Sequence, residues 1–204
     1  MIAIVDYGVG NLFSLVSSFR AIGTDVVVTS DAETLATADK ILLPGVGAFE
    51  DARRKLRESG LEEVIRAHVS AGKPIMGICL GMQLLFERSF EYGEHEGLGL
   101  LRGDVIAMDG TLPGELKIPH IGWNALHVCS EHPVFKYTKD GDFVYFVHSY
   151  YATGCDDSLL ATTEYGKQIT AAVALNNVMG MQFHPEKSGE VGLNILRAFA
   201  ELEA

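Results

Sequence analysis

The sequence predicts an α/β protein: a mostly parallel central sheet flanked by helices, with mixed or antiparallel strands added in its second half. Three observations lead there. In the first half, short β-rich runs alternate with amphipathic helical patterns, and such βαβ units place helices on both faces of a parallel sheet. In the second half the helical patterns recede, and short strand-like runs follow one another across Gly- and Asp-containing turns. No proline-rich linker, repeat or low-complexity stretch divides the 204 residues, so one domain spanning residues 1–204 is expected.

The elements follow in order. Residues 2–6 are an apolar run ending at Asp6 and read as a strand. Residues 11–21 set Leu12, Leu15, Val16 and Phe19 on one face, the spacing of an amphipathic helix. Val26–Thr29 and Lys40–Leu43 are the next strands, and residues 48–58 and 61–71 are helices. Residues 74–78 form a short apolar strand, and residues 80–87 start a helix directly behind it. Strands are then expected at 105–108, 124–128, 142–147, 159–163, 169–174 and 178–184. A last helix covers 188–202, with Val191, Ile195, Leu196 and Phe199 at helical spacing.

Bulk properties narrow the function. An apolar fraction of 48% and a charged fraction of 21% are those of an ordinary globular protein. A net charge of -11 without any Lys/Arg cluster argues against nucleic acid as a partner. No apolar run is long enough to cross a bilayer, and residues 1–6 lack the basic start of a signal peptide. No membrane partner and a cytoplasmic location are therefore expected. The three cysteines, Cys79, Cys129 and Cys155, form neither a disulfide framework nor a Cys-x-x-Cys zinc pattern. Gly8-Val9-Gly10 after the first strand lacks the third small residue of a dinucleotide fingerprint, since Phe13 stands there, and no Gly-Lys-Ser/Thr follows any loop. His120, His127, His132 and His148 lack helical metal-ligand spacing and read as structural, so neither metal nor cofactor is expected. Met179 and Met181 read as core packing, and Cys129 and Cys155 as bystanders.

Chemistry concentrates at Gly77-Ile78-Cys79-Leu80-Gly81, where a buried strand turns into a helix with a cysteine at the apex. A turn that tight needs glycine on both flanks, and a helix N-terminus favours thiolate over thiol. Alone, the motif fits a packed structural cysteine equally well. Far downstream, His184-Pro185-Glu186 closes a β-rich run. Residues i and i+2 of an extended segment project to one side, which sets Glu186 beside His184 as the carboxylate that orients a general base. Nucleophile, base and orienter would then be Cys79, His184 and Glu186. Leu43-Pro44-Gly45-Val46-Gly47 adds a glycine-rich loop whose Val46 N–H, with that of Leu80, would hold an oxyanion.

These residues resemble the class I (triad) glutamine amidotransferases, whose elbow and His-Pro-Glu pair are matched here without substitution. Asp6-Tyr7-Gly8-Val9-Gly10-Asn11, Pro119-His120-Ile121-Gly122-Trp123-Asn124 and Val147-His148-Ser149-Tyr150-Tyr151 are similar, more narrowly, to the family of glutaminase subunits of imidazole glycerol phosphate synthase. The resemblance covers essentially the whole chain. It implies a flavodoxin-like sheet, a Cys79–His184–Glu186 triad and glutamine contacts from Gly47, Gln83, Ser149 and Tyr150. It also implies a (β/α)8-barrel cyclase subunit as heterodimeric partner, approached by Asn11, Trp123 and Lys187. On the residues alone Trp123 reads equally as core and Lys187 as a solvated charge. Rival readings are a subunit feeding another synthase, such as that of pyridoxal phosphate, a cysteine hydrolase or stress protein of the same sheet type, and a silent scaffold.

Overall fold

The computed structural model describes residues 1–112 and 116–203. Along the chain run β1 (Ile2–Val5), α1 (Leu12–Ala21), β2 (Val26–Thr29), α2 (Ala32–Thr37), β3 (Lys40–Leu43), α3 (Phe49–Glu58), α4 (Leu61–Ser70), β4 (Ile75–Ile78) and α5 (Leu80–Leu84). There follow β5 (Arg88–Ser89), β6 (His95–Glu96), β7 (Asp104–Ala107), β8 (His120–Val128), β9 (Phe143–His148), β10 (Tyr150–Thr153), β11 (Leu159–Glu164), β12 (Gln168–Leu175), β13 (Val178–Met181) and α6 (Gly189–Glu201).

A nine-stranded sheet has the order β2-β1-β3-β4-β13-β12-β11-β8-β9. From β2 to β13 every pairing is parallel, and from β13 to β9 every pairing is antiparallel. Strands β1, β3, β4 and β13 are buried throughout, as runs that are apolar except for Lys40 at the start of β3 demand when helices cover both faces. Their side chains alternate between two cores. Ala3, Val5, Ile41, Leu43 and Ile75 pack with Leu35, Leu56 and Ile65 from α2, α3 and α4. Ile2, Ile4, Leu42, Met76 and Ile78 pack with Leu15 and Phe19 of α1 and with Ile195, Leu196 and Phe199 of α6.

A second, four-stranded sheet, β10-β7-β5-β6, sits at the edge of the first core. The chain passes between the sheets at Ser149, the single residue separating β9 from β10.

Several elements depart from the sequence expectation. The helix foreseen over 80–87 stops at Leu84, because the carbonyls of Leu84, Leu85 and Phe86 accept the N–H groups of Leu98, Leu100, Leu101 and Gly99 instead of continuing a helical ladder. The strand foreseen over 178–184 ends at Met181, and Pro185–Lys187 form a 3-10 turn. Strand β8 starts at His120 rather than at residue 124. Helix α2 and strands β5, β6 and β10 had no counterpart in the sequence reading.

Candidate active site

Sheet order alone assembles the site. Strand β4 lies between β3 and β13, with Leu43 and Met181 in register with Gly77 and Ile78. Adjacent strands lie about 4.8 Å apart, so the segments leaving their carboxyl ends are neighbours. Those segments carry residues 44–47, Cys79 and residues 182–186, at the carboxyl edge where open α/β sheets bind ligands.

Cys79 occupies φ 53°, ψ -111°, a backbone region that costs a non-glycine residue roughly 1–3 kcal/mol. The flanking glycines make the turn possible. A Cβ on Gly81 would lie 1.8 Å from the Leu43 carbonyl oxygen, and one on Gly77 would lie 2.6 Å from the Gly81 oxygen. Gly45 closes on the same point, since its Cβ would lie 2.5 Å from the Gly81 nitrogen. No side chain fits at any of the three.

His184 is buried, and its Nδ1 lies 2.8 Å from Glu186 Oε1, which is buried as well. The pair therefore forms as expected, but for a different reason: the 3-10 turn after His184 folds Glu186 back onto the imidazole. Burial disfavours the charged ring. The neighbouring Cys79 sulfur and the Glu186 carboxylate outweigh it and hold the His184 pKa up to about 9. At neutral pH the ring carries its proton.

Val46, Gly47, Cys79, Leu80, Gln83, Ser149, Tyr150, His184 and Lys187 all line one cavity of about 680 Å³, so nine of the foreseen positions converge. Glu186 stands behind His184. Leu80 N–H opens α5 and, like Val46 N–H, has no hydrogen-bond partner among the described residues. No backbone N–H from Gly45 to Ala48 has one, although the Pro44 carbonyl is fixed by the Tyr7 hydroxyl at 2.7 Å. Gly47 adopts φ +94°.

Gln83 Nε2 donates both to the Tyr150 carbonyl (3.1 Å) and to Gln182 Oε1 (3.0 Å). Both N–H bonds are thereby spent, and Oε1 alone remains for a ligand. The Tyr150 carbonyl also accepts from His148 Nδ1 at 2.8 Å, and the Ser149 carbonyl accepts from Met108 N–H. Burial presses the His148 pKa down to about 3, so that ring stays neutral.

Two of the foreseen partner-facing positions lie outside the cavity. Asn11 caps α1 by accepting from Ser14 N–H. Trp123 is 52% exposed and stands edge-on to Tyr145, so it is not a core residue. The Lys187 ammonium lies 5.8 Å from the same Tyr145 ring, which makes one patch of Trp123, Tyr145 and Lys187 beside the cavity mouth.

Sequence reasoning missed Glu91, Gln182 and His148 as site residues. Glu91 lines the cavity, accepts from Phe49 N–H at 2.5 Å and has its pKa raised by burial. No local signal marks it. Gln182 precedes His184 by two residues, the same alternation that singled out His184 and Glu186.

An elbow cysteine, a buried His–Glu pair and a glycine loop meet on adjacent strand ends, an arrangement that fits a triad amidotransferase. The glutamine amidotransferase class-I family model matches residues 3–201, and the chain belongs to that family. It is thus an enzyme of the glutamine amidotransferase type. The chain is 51% identical to imidazole glycerol phosphate synthase subunit HisH of Caldanaerobacter subterraneus subsp. tengcongensis, over 99% of this chain and 98% of that protein. It is 52% identical to the HisH subunit of Sulfurimonas denitrificans, over 98% of both chains. A solved glutamine amidotransferase superposes with a TM-score of 0.76 at 19% identity, covering 98% of this chain and 100% of the other, and so shares the fold.

Proposed function

We propose that this chain is the glutaminase subunit of an imidazole glycerol phosphate synthase, releasing ammonia from glutamine at Cys79. One observation carries the reading. The strained Cys79 and His184 line one cavity, Glu186 holds the His184 ring in the charged state, and full-length relatives at about half identity are HisH subunits.

The Cys79 thiolate attacks the side-chain amide carbon of glutamine, and the carbonyl oxygen becomes an oxyanion facing the N–H groups of Leu80 and Val46. The His184 imidazolium gives its proton to the departing nitrogen, which leaves as ammonia. The neutral ring then takes a proton from water, whose oxygen attacks the thioester, and glutamate and the thiolate are regenerated.

The hydrogen bonds already spent dictate how the amino-acid end of the substrate sits. Ser149 and Tyr150 have no carbonyl to spare, and Tyr150 faces Ala107 at a non-hydrogen-bonded position of the ladder, so this segment offers N–H groups to the substrate carboxylate. Gln83 Oε1 and the Glu91 carboxylate are acceptors and suit the substrate ammonium, and Gly47 leaves room beside it.

Ammonia is mostly protonated in neutral water and is then no nucleophile, so direct delivery to a partner is chemically favoured. The partner is a (β/α)8-barrel cyclase subunit, where ammonia converts a phosphoribulosyl-formimino-carboxamide ribonucleotide into imidazole glycerol phosphate and an aminoimidazole carboxamide ribotide. Trp123, Lys187 and Asn11 lie toward it. Residues 1–204 act as one glutaminase domain, without metal or cofactor, in the cytoplasm. The untethered N–H groups at 45–48 support a loop that the liganded partner sets in place.

The test is glutamate release, with and without the cyclase, for wild type and Cys79→Ala. The expected result is a rate for the isolated chain at least tenfold below that of the complex, and none above background for Cys79→Ala. Equal rates with and without the partner refute the activation, and activity in Cys79→Ala refutes the mechanism.

A further inference from the structure

The geometry points to Gln182 as a fourth catalytic side chain: its amide N–H donates to the Cys79 sulfur and stabilises the thiolate. The inference rests on Cys79 being the nucleophile.

Gln182 is fully buried, and its backbone N–H donates to the Ala171 carbonyl at 2.9 Å, which extends the β12 pairing one residue past β13. Its side chain therefore sits in a fixed frame at the carboxyl edge of the sheet. Gln182 Nε2 lies 3.7 Å from Cys79 Sγ, and Oε1 accepts from Gln83 Nε2 at 3.0 Å.

Amide orientation is normally open to a flip, but here the far end of the chain fixes it. The Tyr150 carbonyl can only accept, so Gln83 must turn Nε2 toward it. That same nitrogen meets Gln182, which must answer with Oε1. Gln182 is left with its NH2 toward the sulfur. A carbonyl three groups away thus aims an N–H at the nucleophile.

A donor on sulfur favours the charged form, in the resting enzyme and again when the thioester is hydrolysed and sulfur departs as thiolate. The charged His184 ring also favours thiolate at this sulfur, but it must give its proton to the leaving nitrogen. Gln182 cannot lose its proton, so its support persists through every step. The same amide ties sulfur to Gln83 and Tyr150, the groups that face the substrate.

Two variants separate the electrostatic role from packing. Gln182→Met keeps length without a donor, and Gln182→Glu keeps shape while placing an oxygen against the sulfur. Iodoacetamide alkylation of the full-length chain is followed against pH by the mass of the Cys79 peptide, with exposed Cys129 as internal reference. The expected midpoint for Cys79 rises by about one pH unit in Gln182→Met and further in Gln182→Glu, while Cys129 is unchanged. Unchanged Cys79 midpoints in folded variants overturn the proposal. Should either variant fail to fold, wild type labelled with 15N in glutamine side chains gives the answer: the Gln182 amide signal must move as Cys79 titrates, and a stationary signal overturns the proposal equally. If wild-type Cys79 alkylates no faster than Cys129 and Cys79→Ala still hydrolyses glutamine, the nucleophile assignment itself falls. A reactive Cys79 with an indifferent Gln182 refutes the Gln182 role alone.

Discussion

Replacing Glu186 by Gln removes the carboxylate that faces His184 Nδ1 at 2.8 Å while keeping the size of the side chain. In the native site His184 is raised from 6.5 to about 9, which corresponds to roughly 3 kcal/mol in favour of the charged ring. Burial acts against that charge, so the raised pKa is a surplus supplied by Cys79 and Glu186 together. Without Glu186 the surplus shrinks, and the expected His184 pKa falls by at least one unit, roughly 1.4 kcal/mol. The direct assay is a proton–carbon NMR titration of the His184 ring in wild type and Glu186→Gln. Stability provides a second reading. A histidine with a raised folded-state pKa contributes fully below its unfolded value of 6.5, and the contribution is lost as pH rises through about 9. Urea titrations between pH 6.5 and 9 should thus lose stability more steeply in wild type than in Glu186→Gln. Turnover with the partner present should fall by about 10²–10⁴-fold, the range for loss of an oriented general base. An unaltered His184 titration in Glu186→Gln refutes the account of how this histidine holds its proton.

Two further outcomes follow from packing. Gly81→Ala would put a Cβ 1.8 Å from the Leu43 carbonyl oxygen, so a lowered melting temperature and loss of glutaminase activity are expected, and an active variant with native melting would refute the elbow's need for glycine. Trp123→Ala removes a 52% exposed indole at the proposed partner face. Its dissociation constant for the cyclase, measured by calorimetry, should rise about 30-fold, or about 2 kcal/mol, with little change in melting; unchanged affinity would remove Trp123 from the interface.

How much of this was legible in the sequence depended on how local the cause was. The elbow could be read because the demand for Gly77 and Gly81 arises within one turn of chain, and the structure finds no room for a Cβ at either. The parallel half could be read because β1 and β4 are unbroken apolar runs, and β3 one interrupted only by Lys40 at its start, all buried on both faces. His184 and Glu186 were paired by strand alternation, whereas a 3-10 turn brings them together, since proline after His184 ends the ladder. Helix α2 was missed because six residues with one buried apolar side chain, Leu35, give no period to detect; its Asp31 cap, donated to by Thr34 N–H at 2.7 Å, was the available cue. Helix α5 was overextended because the loop that captures its carbonyls lies more than ten residues downstream. Glu91 belongs to the site only through the docking of the second sheet, which no local pattern announces.

The carboxyl edge of the sheet divides into a locked part and a loose part, and the proposed mechanism uses both. The elbow at Cys79 leaves no room for a Cβ at Gly81 against Leu43, His184 is held by Glu186, and the Gln83–Gln182 amides are tied to the Tyr150 carbonyl. Beside them, the N–H groups from Gly45 to Ala48 have no partners among the described residues, and Val46 is 45% exposed. A partner that switches turnover on has little to gain by moving the locked groups, since their strain and burial are already accounted for by the fold. A rotation of the peptide between Gly45 and Val46 breaks no hydrogen bond among the described residues and aims the Val46 N–H at the oxyanion. One missing oxyanion donor is worth about 10²–10³ in turnover. On the proposed function, a loop so placed is sufficient to hold the glutaminase nearly idle while Cys79, His184 and Glu186 stay in place.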